Sequence, residues 1–327
     1  MSAEIKRIGV LTSGGDAPGM NAAIRAVVRS CSYYNLDAHG IFRGYDGLIN
    51  DEVKPLHVRS VSKILGRGGT ILKSARSKEF MTEKGRYKAL QTLQKHKIDA
   101  LVVIGGNGTF TGAHKFYQEH GVPVIGLPGT IDNDLYGTDH TIGFDTATNV
   151  VVECIDKIRD TASSHNRLFF VEVMGRDSGF IALHAGIATG AVAIMLPEEE
   201  RSIEELVTIL ERGAKSKKTS SIVIVAEGNV NGGAYEVAKQ VQEQYDHYDT
   251  KVTILGHLQR GGAPSCYDRV LAGRMGVAAV EGLLNGRKDV MVGTRKGQMA
   301  VTLLENALKL NSDMNSEMLR ISKILSI

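Results

Sequence analysis

The chain has 327 residues, of which 43% are hydrophobic and 23% are charged. This composition is ordinary for a globular protein and excludes a disordered chain. Lysine and arginine number 39 and aspartate and glutamate 36; the resulting net charge of +3 is too small to indicate a nucleic-acid partner, and no stretch approaches the roughly 18 apolar residues of a membrane span.

Short runs rich in valine, isoleucine and leucine alternate with helical patterns along the chain. The runs predict strands at residues 5–12, 100–104, 122–127, 169–174, 193–196, 222–226 and 252–255. Apolar residues spaced three and four apart predict helices between them, most clearly over 20–31. Nearly continuous apolar strands separated by helices are typical of parallel sheets covered on both faces. The sequence therefore predicts an α/β fold.

Two glycine-rich turns follow predicted strands, TSGGDAPG at 12–19 and IGGNGT at 104–109. Main-chain N–H groups in such turns can approach an anion closely, although each turn alone is also explained as a tight strand–helix connection. Neither turn has the Walker A or GxGxxG spacing. At the carboxyl ends of two parallel strands they would share one crevice, so together they indicate phosphate binding.

A third turn, LPGTIDND at 127–134, follows another apolar strand. It places the carboxylates of Asp132 and Asp134 two residues apart. Two interpretations of this turn are possible. Its carboxylates could hold a metal or transfer protons, or they could simply be solvated. The surrounding proline, glycine and threonine favour the functional interpretation.

Two basic turns complete the pattern, VMGR at 173–176 and GHLQRGG at 256–262. An arginine such as Arg176 or Arg260 can bind phosphate oxygens in a bidentate manner, whereas a single arginine or His257 on a loop is more often solvated. Five such turns at five strand ends together indicate an enzyme of phosphoryl transfer that works by positioning and charge stabilisation.

The three cysteines, Cys31, Cys154 and Cys266, are far apart in the sequence. Their spacing predicts neither a disulfide framework nor a CxxC metal site, and it favours a reducing compartment. The N-terminal segment reaches the pair Gly14 and Gly15 too soon for a signal peptide. We therefore expect a cytoplasmic protein whose partners include neither nucleic acid nor a membrane.

Several segments resemble those of the bacterial-type ATP-dependent 6-phosphofructokinases: TSGGDAPGMNAAIR, GRGGTILKSAR, PGTIDND, RDTASSH, VEVMGR and GHLQRGG. The resemblance implies phosphorylation of fructose 6-phosphate at its 1-hydroxyl, with ATP as co-substrate and Mg²⁺ as cofactor, to give fructose 1,6-bisphosphate and ADP. It also implies two α/β lobes with mostly parallel sheets flanked by helices, the active site in the cleft between them, and a homotetramer that shares active sites between subunits.

We expect the ATP-binding lobe to comprise residues 1–142 and about 256–305. The lobe that binds fructose 6-phosphate would comprise about 143–255 and 306–327.

The resemblance also assigns roles to single residues. Asp132 matches the general base that takes the proton of the sugar hydroxyl, and Thr130 lies beside it as a phosphate and sugar contact. Arg176 matches the arginine that stabilises charge on the transferred phosphoryl group. Asp134 matches a carboxylate near the Mg²⁺ water shell.

The remaining matches fall into two groups. The expected ATP-binding residues, with Tyr45 against the adenine, are Gly15, Tyr45, Arg76, Ser77, Gly106, Asn107, Gly108 and Thr109. The expected contacts of fructose 6-phosphate, with Arg167 reaching from a neighbouring subunit, are Thr130, Ile131, Asp132, Arg167, Met174, Gly175, Arg176, Glu227, Lys251, His257 and Arg260.

The sequence departs from the family pattern at three places. Asn107 replaces an aspartate that helps to hold Mg²⁺, and Lys251 replaces an arginine that binds the sugar phosphate. We expect weaker Mg²⁺ binding and a raised KM for fructose 6-phosphate. The third departure is at the effector site: Val58 and Val192 replace an arginine and a metal-binding glutamate, so we expect blunted or altered allostery. The matching basic residues of that site are Arg25, Arg29, Arg159 and Lys218, although a solvated helix face explains Arg25 and Arg29 equally well.

Three alternatives are weighed against an active kinase. A non-catalytic regulatory paralogue would explain Asn107 and Lys251, but Asp132 is intact. A pyrophosphate-dependent enzyme is disfavoured because Gly108 and Gly129 occupy positions where such relatives carry Asp and Lys. An oxidoreductase lacks the GxGxxG turn.

Overall fold

The computed structural model describes residues 5–162, 167–215, 221–310, 312 and 314–326. Within these residues the chain divides into two compact units. The larger unit takes its described residues from 5–131, 135–145 and 260–312, and the smaller unit takes them from 132–134, 146–259 and 314–326. Each unit has its own sheet.

The strands and helices alternate along most of the described chain. The strands are β1 (Arg7–Thr12), β2 (Asp37–Ile41), β3 (Val53–Leu56), β4 (Ala100–Gly105), β5 (Val124–Pro128), β6 (Arg167–Val173), β7 (Ala193–Met195), β8 (Ser221–Ala226), β9 (Asp249–Ile254), β10 (Val290–Arg295) and β11 (Gln298–Leu303). The α-helices are α1 (Met20–Tyr33), α2 (Gly44–Ile49), α3 (Glu83–His96), α4 (Asn107–His120), α5 (Phe144–Ala162), α6 (Phe180–Thr189), α7 (Ile203–Lys215), α8 (Ala234–Gln244), α9 (Cys266–Leu284), α10 (Leu304–Lys309) and α11 (Ser316–Leu325). Short 3-10 helices occupy Glu79–Met81 and Gly256–Arg260.

The sheet of the larger unit has the order β11-β10-β5-β4-β1-β2-β3. Its five central strands are parallel, and the edge strands β3 and β11 are antiparallel to their neighbours. From β1 the chain first adds β2 on one side and later β4 on the other. A crevice opens outside the carboxyl ends of the strands at such a reversal. The loops after β1 and β4 meet there, because Thr12 pairs with Ile104.

The four strands of the smaller unit are all parallel and have the order β7-β8-β6-β9. The carboxyl ends of β6, β8 and β9 are therefore neighbours, since β6 pairs with both of the other strands.

Each sheet carries its own apolar core. In the larger unit, buried side chains of α2, α3, α4 and α10 cover one face, and α1 and α9 pack together on the other. In the smaller unit, α7 and α8 pack on one face of the sheet. Among the described helices, none combines the length and the apolar character that crossing a bilayer requires.

The predicted α/β fold is confirmed, and all seven predicted strands are present as β1 and β4–β9. The helix predicted over 20–31 is also present, as α1. Four strands were not predicted. In β2 and β3 the apolar residues are interrupted by glycine, histidine, lysine or proline, while β10 and β11 form an antiparallel pair at the sheet edge.

The glycines at the junction of β4 and α4 differ in what surrounds them. A Cβ at position 105 would lie 2.3 Å from Oγ1 of Thr109 and 2.5 Å from the carbonyl oxygen of Ser13. A Cβ at position 108 would have no neighbour within 4 Å. Gly105 is therefore required for the close approach of two loops, whereas Gly108 faces open space.

This difference predicts opposite stability effects. We expect Gly105→Ala to lower the free energy of unfolding by about 1–3 kcal/mol, because the added methyl group overpacks the contact between the loops. Gly108→Ala, the matched control in the first turn of α4, should leave it unchanged or raise it by up to about 1 kcal/mol. Denaturant titration of both variants measures this, and equal stabilities would contradict the explanation.

Candidate active site

The loops after β1 and β4 are held together by main-chain and hydroxyl hydrogen bonds. The N–H of Ser13 donates to the carbonyl of Ile104 at 3.0 Å, and the hydroxyl of Thr109 donates to the carbonyl of Ser13 at 3.0 Å. The N–H of Gly129, in the loop after β5, donates to the carbonyl of Gly105 at 3.0 Å. Three of the predicted turns thus meet at the carboxyl edge of one sheet, next to the N-terminus of α4.

This edge is suited to binding phosphate. The first N–H groups of a helix have no acceptor within the helix, and they point at any anion beyond its end. Gly106 and Gly108 leave the approach to the first turn of α4 open, because a Cβ at either position would meet nothing closer than 3.5 Å. The predicted ATP-binding residues Gly106, Asn107, Gly108 and Thr109 all lie here.

Tyr45 lies in the apolar core of the larger unit. Its ring stacks on Phe80 with a centroid distance of 4.0 Å, and only 5% of the residue is exposed. Burial raises the pKa of its hydroxyl, which donates to the carbonyl of Thr109 at 2.6 Å. The observed contacts therefore give Tyr45 a supporting role beneath the loop after β4, and its contact with adenine stays a prediction.

The segment that contains Thr70 and Lys73 contacts the end of β1. The hydroxyl of Thr12 donates to the carbonyl of Lys73 at 2.8 Å and also contacts the hydroxyl of Thr70 at 2.9 Å. The chain then runs directly to Arg76, which is exposed, and to Ser77, which is half-buried. These two predicted ATP contacts are thus anchored close to the glycine turn after β1.

Arg260 is also part of this cluster in the larger unit. Its guanidinium lies against Gly15 and donates to the carbonyl of Asp16 at 2.9 Å. The sequence predicted a sugar-phosphate contact for Arg260, and that assignment stays a prediction beside the observed bond to the loop after β1.

The loop after β5 carries Asp132. Thr130, immediately before Ile131, is buried, and its carbonyl accepts a hydrogen bond from the hydroxyl of Thr141 at 2.6 Å. Ile131 is fully buried, so only its main chain is available to a ligand. The carbonyl of Asp132 accepts from the hydroxyl of Ser178 at 3.0 Å, and 4% of Asp132 is exposed. The carboxylate therefore sits on a loop fixed by main-chain hydrogen bonds.

Asn107 and Asp134 are the two candidate metal ligands. Asn107 is exposed at the start of α4, and Asp134 is half-buried. Both offer oxygen donors, which suit Mg²⁺. No group of three His, Cys, Asp or Glu side chains that could form a closed metal site occurs in the described part of the chain. Each of the two side chains alone could give one oxygen to a Mg²⁺ ion that is held mainly by substrate phosphates and water.

The loop after β6 has an unusual backbone. Gly175 has φ 147° and Arg176 has φ 54°, in the left-handed region. One carboxylate oxygen of Glu227, at the end of β8, accepts from the N–H of Gly175 at 3.2 Å and from that of Arg176 at 2.6 Å. The Arg176 side chain is exposed. Glu227 thus orients the loop that carries the guanidinium, in addition to its predicted contact with the sugar.

The turn after β9 lies beside this loop. It forms the 3-10 helix Gly256–Arg260, in which His257 is exposed. The side chain of Gln259 accepts from the N–H of Met174 at 3.1 Å and donates to the carbonyl of Gly256 at 3.0 Å. The structure therefore brings Met174, Gly175, Arg176, Glu227 and His257 to one edge of the smaller sheet.

Arg167 and Lys251 meet at the opposite end of β6 and β9. Asp249 accepts from Nε of Arg167 at 3.2 Å and from Nζ of Lys251 at 2.6 Å. The hydrogen bond from Lys251, followed by that from Arg167, lowers the pKa of Asp249. Two cations sharing one carboxylate leave an excess of positive charge, as an anion site requires.

The predicted effector residues are spread over both units. Arg25 is half-buried and Arg29 exposed on α1, while Arg159 on α5 donates to the carbonyl of Thr189. Lys218 lies outside the described residues. Val58 is 38% exposed, whereas Val192 is 7% exposed and packs in the apolar core of the smaller unit.

Sequence reasoning missed the residues that support the loops. They are Ser178, which binds the main chain of Asp132; Gln259, which joins two loops; and Asp249, which joins two cations. Gln259 lies inside the GHLQRGG segment, which already indicated a functional turn. Its hydrogen-bond partners, however, depend on the pairing of β6 with β9.

Known proteins are similar to this chain over nearly its whole length. Residues 7–283 match the phosphofructokinase family. The chain is 52% identical over 323 residues to ATP-dependent 6-phosphofructokinase 2 of Bacteroides thetaiotaomicron, covering 99% of both chains. It is 54% identical over 323 residues to ATP-dependent 6-phosphofructokinase 1 of Thermus thermophilus, covering 99% of this chain and all of that one.

Solved structures are similar as well. A phosphofructokinase from Saccharomyces cerevisiae superposes with a TM-score of 0.89 at 37% identity over 98% of this chain. This chain spans about half of that one, 48% of its length. A pyrophosphate-dependent phosphofructokinase from Marinobacter aquaeolei has a TM-score of 0.85 at 21% identity, with 98% and 91% of the two chains covered, which shows the fold alone. Because residues 7–283 match the family and relatives covered over 99% or more of their length are more than 50% identical, the chain belongs to the phosphofructokinase family.

Proposed function

We propose that this chain transfers the γ-phosphoryl group of ATP to the 1-hydroxyl of fructose 6-phosphate, giving fructose 1,6-bisphosphate and ADP. The observation that carries the proposal is identity above 50% over 99% of the chain to relatives named as ATP-dependent 6-phosphofructokinases. Asp132 and Arg176, the residues that we propose for the chemical step, lie on the loops that follow β5 and β6.

The loops after β1 and β4 would bind the phosphates of ATP. Their main-chain N–H groups and the positive end of the α4 dipole favour an anion. The open space at Gly108 supports a nucleoside triphosphate, because an aspartate there would add a negative charge where the phosphates approach. Gly129 supports ATP as the donor less strongly, because its close packing on Ile104 already explains why this position is glycine.

Asn107 and Asp134 would hold Mg²⁺ together with the phosphates. The ion would neutralise charge on the β- and γ-phosphates, as in other phosphoryl-transfer enzymes. Asn107 contributes an amide oxygen without the charge of a carboxylate, which is the physical reason to expect weaker binding of the ion.

Asp132 would accept the proton of the sugar hydroxyl as the oxygen attacks phosphorus. Its loop is held by the hydroxyls of Thr141 and Ser178 through the main chain, so the carboxylate is in place before the substrates arrive. Arg176 would stabilise the charge that develops on the transferred phosphoryl group. Positioning and charge stabilisation together account for most of the catalysis of this reaction class.

Arg167 and Lys251 would bind the 6-phosphate, and we propose that they do so in a homotetramer that shares its active sites. The edge strand β9 supports an assembly, because Ile254 at its end is 49% exposed and Leu258 in the following turn is 66% exposed. The three free cysteines and the proposed substrates fit a cytoplasmic location.

A panel of donors and acceptors tests the proposed function. The purified protein should form fructose 1,6-bisphosphate from ATP and fructose 6-phosphate, and should form none with pyrophosphate. Activity with pyrophosphate alone would identify the other donor class, and no product with either donor would favour a non-catalytic paralogue.

The same assay examines the effector residues. We propose that the response to phosphoenolpyruvate and ADP is at most blunted, because Val192 is buried in the core and offers no metal ligand. The residues proposed for this effector site are Arg25, Arg29, Arg159 and Lys218. Strong sigmoidal inhibition by phosphoenolpyruvate, reversed by ADP, would contradict this.

Replacing Asn107 by aspartate should strengthen Mg²⁺ binding. The added carboxylate supplies a charged ligand, so the free Mg²⁺ concentration for half-maximal activity should fall up to about tenfold. Asn315→Asp, which makes the same change at the N-cap of α11, is the control and should not alter it. An unchanged Mg²⁺ requirement in Asn107→Asp would show that this side chain does not reach the ion.

Replacing Lys251 by arginine should lower the KM for fructose 6-phosphate. A guanidinium binds a phosphate with two parallel hydrogen bonds, whereas an ammonium acts as a point charge, so we expect a fall of about three- to tenfold with kcat little changed. Lys157→Arg, at an exposed helical ion pair with Glu153, is the control. If KM does not improve, Lys251 does not contact the phosphate.

A further inference from the structure

We infer that Gln259 is a positioning residue for phosphoryl transfer, because its side-chain amide ties the loop that carries Arg176 to the turn that carries His257. The inference rests on the proposed function. Gln259 itself is not expected to touch either substrate.

The amide of Gln259 continues the pairing of β6 with β9 beyond the ends of both strands. The last strand pair is Glu172 with Ile254, and the N–H of Leu255 still donates to the carbonyl of Glu172 at 3.1 Å. Past this point the two chains separate into loops. Gln259 then bridges them, accepting from the N–H of Met174 at 3.1 Å and donating to the carbonyl of Gly256 at 3.0 Å.

The side chain of Gln259 is completely buried, with 0% exposure. A buried polar group that loses its partner costs about 1–3 kcal/mol, so both ends of the amide must be satisfied by protein. The amide meets both needs at once, because it carries an acceptor and a donor on one carbon. A carboxylate would lack the donor, and a methionine of similar size would lack both.

The segment beyond Met174 depends on this anchor. The backbone of Arg176 is in the left-handed region with φ 54°, a conformation that costs a non-glycine residue about 1–3 kcal/mol and persists only where its surroundings impose it. Glu227 holds this segment from one side through the N–H groups of Gly175 and Arg176. Gln259 holds it from the other side through Met174. Without that bond the segment can relax and carry the guanidinium of Arg176 away from its position.

A purely structural role for Gln259 would have a different consequence. It would lower stability and the yield of folded protein, but each folded molecule would keep its kcat. A positioning role lowers kcat in the folded enzyme and leaves the KM for ATP unchanged, because the ATP-binding loops belong to the larger unit. An interaction that matters mainly in the transition state affects kcat in this way.

The experiment compares Gln259→Met with the wild-type enzyme and with Gln240→Met. The control removes a half-buried glutamine that also binds main-chain carbonyls in the smaller unit, those of Asn231 and Glu236. Wild-type activity establishes the proposed function independently. We expect kcat of Gln259→Met to fall about ten- to hundredfold, the effect of displacing a catalytic group such as the Arg176 guanidinium by about 1 Å. The KM for ATP of this variant should stay within about twofold of wild type. The kcat of the control variant should also stay within about twofold of wild type.

A kcat of folded Gln259→Met within about twofold of wild type would overturn the inference while leaving the proposed function intact. If Gln259→Met fails to fold, a second measurement, on the wild-type protein, still tests the inference. Residue-resolved hydrogen exchange should find the N–H of Met174 protected to the same degree as those of β6. Exchange at the rate of an open loop would overturn the inference as well.

Discussion

The hydrogen-bond ladder of a parallel sheet ends where the strands end, and the main-chain groups beyond that point still need partners. In this protein side chains supply them. The hydroxyl of Thr109 binds the loop after β1, that of Ser178 binds the loop after β5, and the amide of Gln259 binds the loop after β6. The three side chains are buried, and their bonds are 3.0, 3.0 and 3.1 Å long. The loops therefore extend the order of the sheets to the residues that we propose for the chemistry.

This constraint connects packing with function. Phosphoryl transfer asks little covalent chemistry of a protein, and its rate depends on reacting groups that are held in place and on charges that are already oriented. Asp132 and Arg176 both lie on loops whose main chains are fixed by side chains from other elements. The cations Arg167 and Lys251 are likewise oriented, by the carboxylate of Asp249. The proposed binding of the sugar phosphate by these two cations would require no rearrangement of the strands that bear them.

The sequence was sufficient to predict the strands with uninterrupted apolar runs and the five turns that follow five of them, because both signals are local. It did not predict β2 and β3, whose apolar residues are interrupted by polar residues, glycine or proline, or the edge pair of β10 and β11. The loop supports were missed for a different reason. Glutamine and serine have many uses, and Gln259 and Ser178 acquire theirs only when distant elements come together. Tyr45 shows the same limit: the family resemblance implies a contact with adenine, which stays a prediction, but nothing in the sequence indicated that its hydroxyl binds the main-chain carbonyl of Thr109.

The central claim is that the carboxylate of Asp132 accepts the proton of the sugar hydroxyl. Asp132→Asn tests it most directly, because the amide has almost the same size and cannot act as a base. The account predicts that kcat falls by about 10²- to 10⁴-fold, the range typical of a lost general base. Calorimetric titration should find that fructose 6-phosphate still binds with nearly wild-type affinity. A kcat close to that of the wild-type enzyme would contradict the account.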